Sequence, residues 1–341
     1  MNSAKSIEIS NRWFPSCKIG ANAPLLIDLE YDDFDKQAER LVGYDQSYLQ
    51  LTPGQFRGRF FSGFLGADVS IHLEYCNQAL EQRLGGDPYA YSFGIVLNDG
   101  SVFRANGLEM ATDQVVVIPP GSSIDIYSPV DGAVMAIVIA TDKLLSEPGL
   151  APQAADWLLG IGRDIGFLQA PHLARRLRED AVRALESAGA KASDPLAFGN
   201  TVGNALVAGI VANLSLECAC VAQPQVFEPT RAYMRFAAGR GEMRLDWCEN
   251  DDLDVLTKAV GASKRSLEHA FSEQLSVGPL TYLRILRLHK VRHKLSNPEF
   301  ADQSIGDIAA SNGFWNWSRF SQAYKTHFGE LPSEARKRLM A

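Results

Sequence analysis

The sequence predicts an α+β protein of unlike parts: a small antiparallel β-barrel or sandwich toward the N-terminus, a helical stretch after it, and an all-α domain at the C-terminus. Three observations carry that prediction. Apolar and polar residues alternate with period two from about Gln55 to Ala140, the apolar spacing becomes helical after Thr141, and a helical pattern near the end occurs twice.

Taken in order, Leu25 to Asp28 reads as a strand and Phe34 to Leu41 as a short helix. The runs "QFRGRFF", "DVSIHLEYC", "YSFGIVL", "QVVVIPPGSSIDIYS" and "AVMAIVIA" then alternate strictly enough to be strands, separated by turns such as Asn98-Asp99-Gly100. In the first of them Phe56, Gly58 and Phe60 share one face while Arg57 and Arg59 take the other. Short strands at such spacing suggest a closed or sandwiched antiparallel sheet, so residues 1–145 form one β-rich domain. Helices are predicted over Pro152 to Leu159, Pro171 to Ala188 and Asp194 to Cys220, making residues 146–222 a helical segment. A linker is expected at 223–229, where two prolines break any periodicity.

Residues 230–341 read as helices throughout. Leu267, Ala270, Phe271 and Leu275 form one apolar stripe, and Phe320, Ala323, Tyr324 and Phe328 repeat it 53 residues later, as Pro332 repeats Pro279. A short helix and a glycine turn precede each stripe, so two helix-turn-helix units are expected, over 254–275 and 305–328. Ser263 and Ser304 stand where helix caps belong. Between the units, Leu280, Leu283, Leu286 and Val291 predict a connecting helix that stops at Asn297-Pro298.

Composition bounds what such a chain does. At 341 residues, 46% hydrophobic and 21% charged, it has room for two or three globular domains. The polar start, Met1 to Asn11, does not read as a signal peptide, and no apolar run is expected to reach the ~18 residues of a membrane span. A cytoplasmic location without membrane partners is therefore expected. The five cysteines, Cys17, Cys76, Cys218, Cys220 and Cys248, lack CxxC spacing, so neither a disulfide framework nor a zinc site is indicated. His289 and His293, four apart with no third ligand nearby, read as a solvated helix face. The net charge of −7 hides a division: residues 255–341 carry 13 Lys+Arg against 7 Asp+Glu, a balance of +6, and the rest is strongly acidic. That polarity favours a polyanion at the C-terminal end alone.

Packing the first stripe inward turns Lys264, Arg265, Glu268, His269 and Ser272 outward, and packing the second exposes Trp317, Ser318, Arg319, Gln322 and Lys325. Arginine, lysine, serine and glutamine can bond base edges or phosphates, and Trp317 can pack on a thymine methyl or a sugar. Trp315 suits either the core or DNA.

These residues carry a family resemblance. "SIGDIAASNGFWNWSRFSQAYKTHFGELPSEARKR" closely resembles the C-terminal signature of the AraC/XylS transcription regulators, and "LTKAVGASKRSLEHAFSEQLSVGPLTYLR" is similar to the first unit of the same domain. The resemblance covers about residues 230–338. It implies double-stranded operator DNA as partner, with base-reading positions at Arg265, Glu268, His269, Ser318 and Gln322, flanked by Trp317 and Arg319. Thr257 departs from the alanine common in the family, which points to a slightly altered first unit, and Glu268 is unusual beside phosphate, which suits either cytosine readout or a weaker half-site.

The β-rich part resembles the cupin-type sensor domains of this family, through "VVVIPPGSSIDIYS". The resemblance implies a small-molecule effector, a dimerisation role for 146–222, whose apolar run 198–214 could equally pack inside one subunit, a homodimer, an activator with repression left open, and RNA polymerase as a further partner. Arg57, Arg59, His72, Glu74, Tyr89, Tyr91 and Arg104 are the candidate effector contacts, the paired arginines hinting at an anion. Metal-holding cupins place a histidine soon after that Pro-Pro-Gly turn, where this chain has Ile124; His72 and Glu74 share a strand face but find no convincing third ligand. No catalytic residue, metal or cofactor is expected. Two alternatives stay open: a cupin-like metal enzyme tethered to a DNA module, and a regulator controlled by a protein partner.

Overall fold

The computed structural model describes residues 26–40, 45–98, 100, 102–188, 194–220, 229–246 and 253–339. The expected turn residue Asp99, nearly all of the linker at 223–229, and Cys17 and Cys248 lie outside the described residues.

The strands are β1 (Leu26–Tyr31), β2 (Asp45–Gln50), β3 (Gly58–Phe64), β4 (Val69–Cys76), β5 (Leu80–Gly85), β6 (Ala90–Val96), β7 (Phe103–Ala105), β8 (Leu108–Met110), β9 (Gln114–Ile118), β10 (Ser123–Ser128), β11 (Gly132–Ala140) and β12 (Gly166–Gln169). They form a seven-stranded sheet in the order β1-β3-β4-β11-β6-β9-β12 and a five-stranded sheet in the order β2-β5-β10-β7-β8. Pairing is antiparallel, as in β4 against β11, where His72 faces Ala136 and Glu74 faces Val134. The helices are α1 (Phe34–Ala38), α2 (Thr141–Leu145), α3 (Pro152–Gly160), α4 (Pro171–Ala188), α5 (Pro195–Cys220), α6 (Arg231–Asp246), α7 (Leu253–Val260), α8 (Lys264–Leu275), α9 (Pro279–Ser296), α10 (Ile305–Ala310), α11 (Trp317–Phe328) and α12 (Pro332–Leu339).

The described residues fall into two compact units. One comprises those of Leu49–Phe56, Gln78–Glu81 and Pro229–Ala341, and the other comprises the remainder. In the first-named, helical unit, α9 is buried on most of its circumference, through Tyr282, Leu283, Ile285, Leu286, Leu288, Val291 and Leu295. Leu280, counted on its apolar face by spacing, is instead exposed. His289 is not the solvated residue its spacing suggested: it lies 3.2 Å from the carbonyl of Gln50 and packs edge-on to Phe328. Burial holds it well below the ordinary histidine pKa.

In the β-rich unit both faces of the seven-stranded sheet are covered, so "QVVVI" and "AVMAIVIA", expected from sequence to alternate, are instead nearly continuous apolar runs. Ile71, Leu73, Phe93 and Ile137 join a core with Leu173, Leu177 and Leu185 of α4 and Leu206, Val207 and Ile210 of α5. The opposite face contributes Val96, Val116 and Ile118 to a second cluster with Phe103, Met110 and Ile124 of the smaller sheet. Contrary to the sequence expectation, Pro195–Ala219 of α5 is by length and composition apolar enough to cross a membrane. Its buried stripe, Val207, Ile210, Val211 and Leu214, is taken up by the core that α4 shares with the larger sheet.

Candidate functional site

Each helix-turn-helix unit is positioned by local chemistry. Gly261 and Gly313 adopt φ of 66° and 83°, a left-handed turn that disfavours a side chain. Ser263 then accepts the backbone N–H of Ser266 to start α8, and Asn316 accepts that of Arg319 to start α11. Both helices have 12 residues and both end in a left-handed cap, Ser276 and Gly329. The duplication thus extends from apolar stripe to cap. Leu267, Ala270, Phe271 and Leu275 are buried under α8, and Phe320, Tyr324 and Phe328 under α11. Phe271 packs on Phe236 and Tyr282 at 5.1 and 5.3 Å, while Phe320 packs on Phe314 at 5.1 Å.

That packing leaves Lys264, Arg265, Glu268, His269 and Ser272 exposed on α8, and Trp317, Ser318, Arg319, Gln322 and Lys325 exposed on α11. Their restraints are light: Lys264 pairs with Asp254 at 2.9 Å, His269 with Glu273 at 3.2 Å, and Gln322 donates to Thr326 at 3.3 Å. Thr257 spends its hydroxyl on the Asp254 carbonyl within α7, so it leaves the turn geometry to Gly261. Trp315 is 82% exposed, so Phe314 closes the turn and the tryptophan is surface.

Counting basic residues in sequence overstated the free charge of this region. Arg292 and Arg338 both pair with Glu330, at 3.0 and 2.7 Å. Arg336 caps the carbonyls of Phe300 and Gln303, and Arg287 is buried.

The β-rich unit holds a cavity of about 100 Å³ between its two sheets. Phe60, His72, Glu74, Val96, Val116 and Met135 line it from the larger sheet, and Gln46, Gln82, Phe103, Arg104, Met110 and Ile124 from the smaller. His72 and Glu74 share the inward face of β4 because Ile71 and Leu73 occupy the other. The hydroxyls of Ser62 and Ser70 lie 3.0 and 2.9 Å from the two ring nitrogens of His72, and burial lowers its pKa to about 4. Glu74 accepts from Gln37 Nε2 at 2.8 Å and from the Tyr48 hydroxyl; burial nonetheless raises its pKa. Ile124, standing where metal-holding cupins have histidine, is one of the cavity's apolar walls.

Of the seven expected effector contacts, the structure brings His72, Glu74 and Arg104 to this cavity and leaves the other four elsewhere. Arg57 is exposed. Arg59 lies across β3 from the cavity side of Phe60 and makes a bidentate pair with Asp28 at 2.6 and 2.8 Å. Tyr89 is 80% exposed. Tyr91 belongs to the core against α3, its hydroxyl donating to the Leu158 carbonyl at 3.1 Å. The hint of an anionic effector, which rested on Arg57 and Arg59, loses its basis. Gln46 and Gln82 were missed because β2 and β5 carry polar residues on both sides of the alternation. Among the described residues no group of three or more His, Cys, Asp or Glu comes together to hold a metal ion.

Comparison with known proteins agrees with the C-terminal geometry. A family model described as a helix-turn-helix domain matches residues 256–338. "XylDLEGF operon transcriptional activator 2" of Pseudomonas putida is 38% identical over 82 residues, covering 24% of this chain and 52% of that protein. The "Probable thc operon regulatory protein" of Rhodococcus erythropolis is 33% identical over 115 residues, covering 32% of this chain and 33% of that protein. The matches thus span about half of the first relative and about a third of the second. Among solved structures, the AraC-like transcriptional activator CuxR aligns over 84% of this chain and 99% of its own, with 15% identity and a TM-score of 0.41. An AraC-type regulator from Chromobacterium violaceum aligns over 31% of this chain and 91% of its own, with 30% identity and a TM-score of 0.29. The C-terminal region of this chain is a helix-turn-helix domain of the AraC/XylS family of transcription regulators.

Proposed function

We propose that this chain is a cytoplasmic, sequence-specific transcription activator whose α8 and α11 read operator DNA and whose β-rich unit binds a small-molecule effector. One observation carries the DNA half: two helices of equal length and equal capping, 53 residues apart, bury matched apolar stripes and expose polar, base-competent faces. Arg265, Glu268 and His269 are the readers on α8, and Ser318 and Gln322 those on α11. Lys264, Ser272, Trp317, Arg319 and Lys325 hold backbone and sugar. The mostly apolar cavity between the two sheets, with a polar end, supports the effector half.

Dimerisation is assigned to α5, whose exposed side presents Ala205, Ala208, Ala212 and Leu216. Sedimentation of a monomer at micromolar concentration would remove that assignment.

Binding of Arg265→Ala and Gln322→Ala to a selected operator and to random duplex tests the reading. Each substitution is expected to cost about 1–3 kcal/mol on the operator and much less on random DNA. Equal losses on both would make these side chains phosphate anchors.

A further inference from the structure

The cavity between the two sheets has walls that specify a class of ligand, provided that this cavity is the effector site. Each ionisable side chain that reaches it is already served by the protein. Arg104 donates to Glu109 at 2.8 Å and lies 5.9 Å from the centre of the Tyr127 ring. Glu74 is bonded by Gln37, Tyr48 and Gln82. His72 is flanked on both nitrogens by Ser62 and Ser70. An ion entering would meet no uncompensated counter-charge, and an unpaired charge against mostly apolar walls is costlier than an uncharged group.

One polar atom of the wall is left over. Gln46 Nε2 donates to the Tyr48 hydroxyl at 2.6 Å, and that hydroxyl donates to Glu74. This relay fixes the orientation of the Gln46 amide, because a flipped amide would set two acceptors against each other. Gln46 Oε1 is consequently a buried acceptor with no partner among the described residues. Such an atom is stabilised by any ligand that brings a donor to it.

Size sets the last condition. The space is about 100 Å³, while an apolar cavity of about 150 Å³ accommodates benzene. A single ring or a short branched skeleton is therefore the scale of molecule that fits with slight widening. We infer that this cavity takes an uncharged, mostly apolar molecule of one-ring size bearing a hydrogen-bond donor, a phenol or comparable alcohol, with its hydroxyl donating to Gln46 Oε1.

Calorimetric titration of the full chain with phenol, toluene and benzoate tests this. Phenol is expected to bind about tenfold more tightly than toluene, the worth of one hydrogen bond to a buried acceptor, with benzoate weaker than both. Gln46→Leu is expected to erase the preference for phenol over toluene while toluene still binds. Gln46→Met, which keeps the side chain's length, should do the same should the leucine variant fold poorly. Toluene equal to phenol, or benzoate tighter than either, would overturn the inferred class and leave the effector reading standing. Absence of binding by all three would overturn both.

Discussion

Glu81 shows how much one buried charge can organise. Its carboxylate, only 3% exposed, accepts from Arg240 Nη1 at 3.0 Å, Arg244 Nη2 at 3.1 Å and the Tyr282 hydroxyl at 2.6 Å, all within the helical unit. Burial and the neighbouring carboxylate push the Tyr282 phenol well above its ordinary pKa, so it stays a donor. Two guanidiniums and a phenol that converge on one acceptor lose their common partner if it is neutralised. Glu81→Gln is expected to cost about 3 kcal/mol, the lower end for breaking a buried pair, since Arg244 is partly solvated and its share is screened. Denaturant unfolding measures this; a loss below about 1 kcal/mol would mean that the arginines find other partners. Nothing in the string "ALEQR" marks Glu81 as different from a surface glutamate, because its partners lie more than a hundred and fifty residues away in sequence.

At the scale of elements, the two reading helices depend on their first turns more than on their propensities. Each has one side-chain cap, Ser263 or Asn316, and each follows a left-handed glycine. Ser263→Ala and Asn316→Ala should each cost about 1 kcal/mol, while Ser263→Asp, another good cap, should cost little. Thermal unfolding distinguishes these; equal destabilisation by alanine and aspartate at 263 would show that the hydroxyl acts through something other than capping. These elements were legible because capping, glycine turns and 3.6-residue spacing are local properties. The strands β2, β5, β7, β8 and β12 were not, since β7, β8 and β12 run to only three or four residues and β2 and β5 carry polar residues on both sides of the alternation. The sequence also put Arg57 and Arg59 among effector contacts: alternation says that two residues share a face, but only the sheet order says whether that face meets the cavity or Asp28.

Over the whole molecule, the charge division is real in sequence yet partly consumed in structure, since Arg287, Arg292, Arg336 and Arg338 hold the helical unit together. What remains on α8 and α11 faces solvent, as the spacing of the apolar stripes required. Acid sensitivity separates the two units. His327, whose N–H lies 3.0 Å from the Gln50 carbonyl, has its pKa lowered to about 4, chiefly by burial, and His289 is lowered as well. A base whose pKa is depressed on folding binds fewer protons folded than unfolded. Its stabilising contribution is therefore full above the unfolded value of ~6.5 and drains away as pH falls toward 4. In the β-rich unit His72 behaves in the same way, but Glu74, whose pKa burial raises, takes up a proton more readily when folded and works in the opposite sense. The helical unit should consequently weaken more steeply, by about 2 kcal/mol for His327 alone between pH 7 and pH 5. Hydrogen exchange of peptides from α9 and α11 against peptides from β4 and β11, corrected for intrinsic rates, reads this directly. Protection of α9 and α11 that held constant across that range would show that these histidines are solvated in solution, and with it that the Gln50 carbonyl does not anchor them.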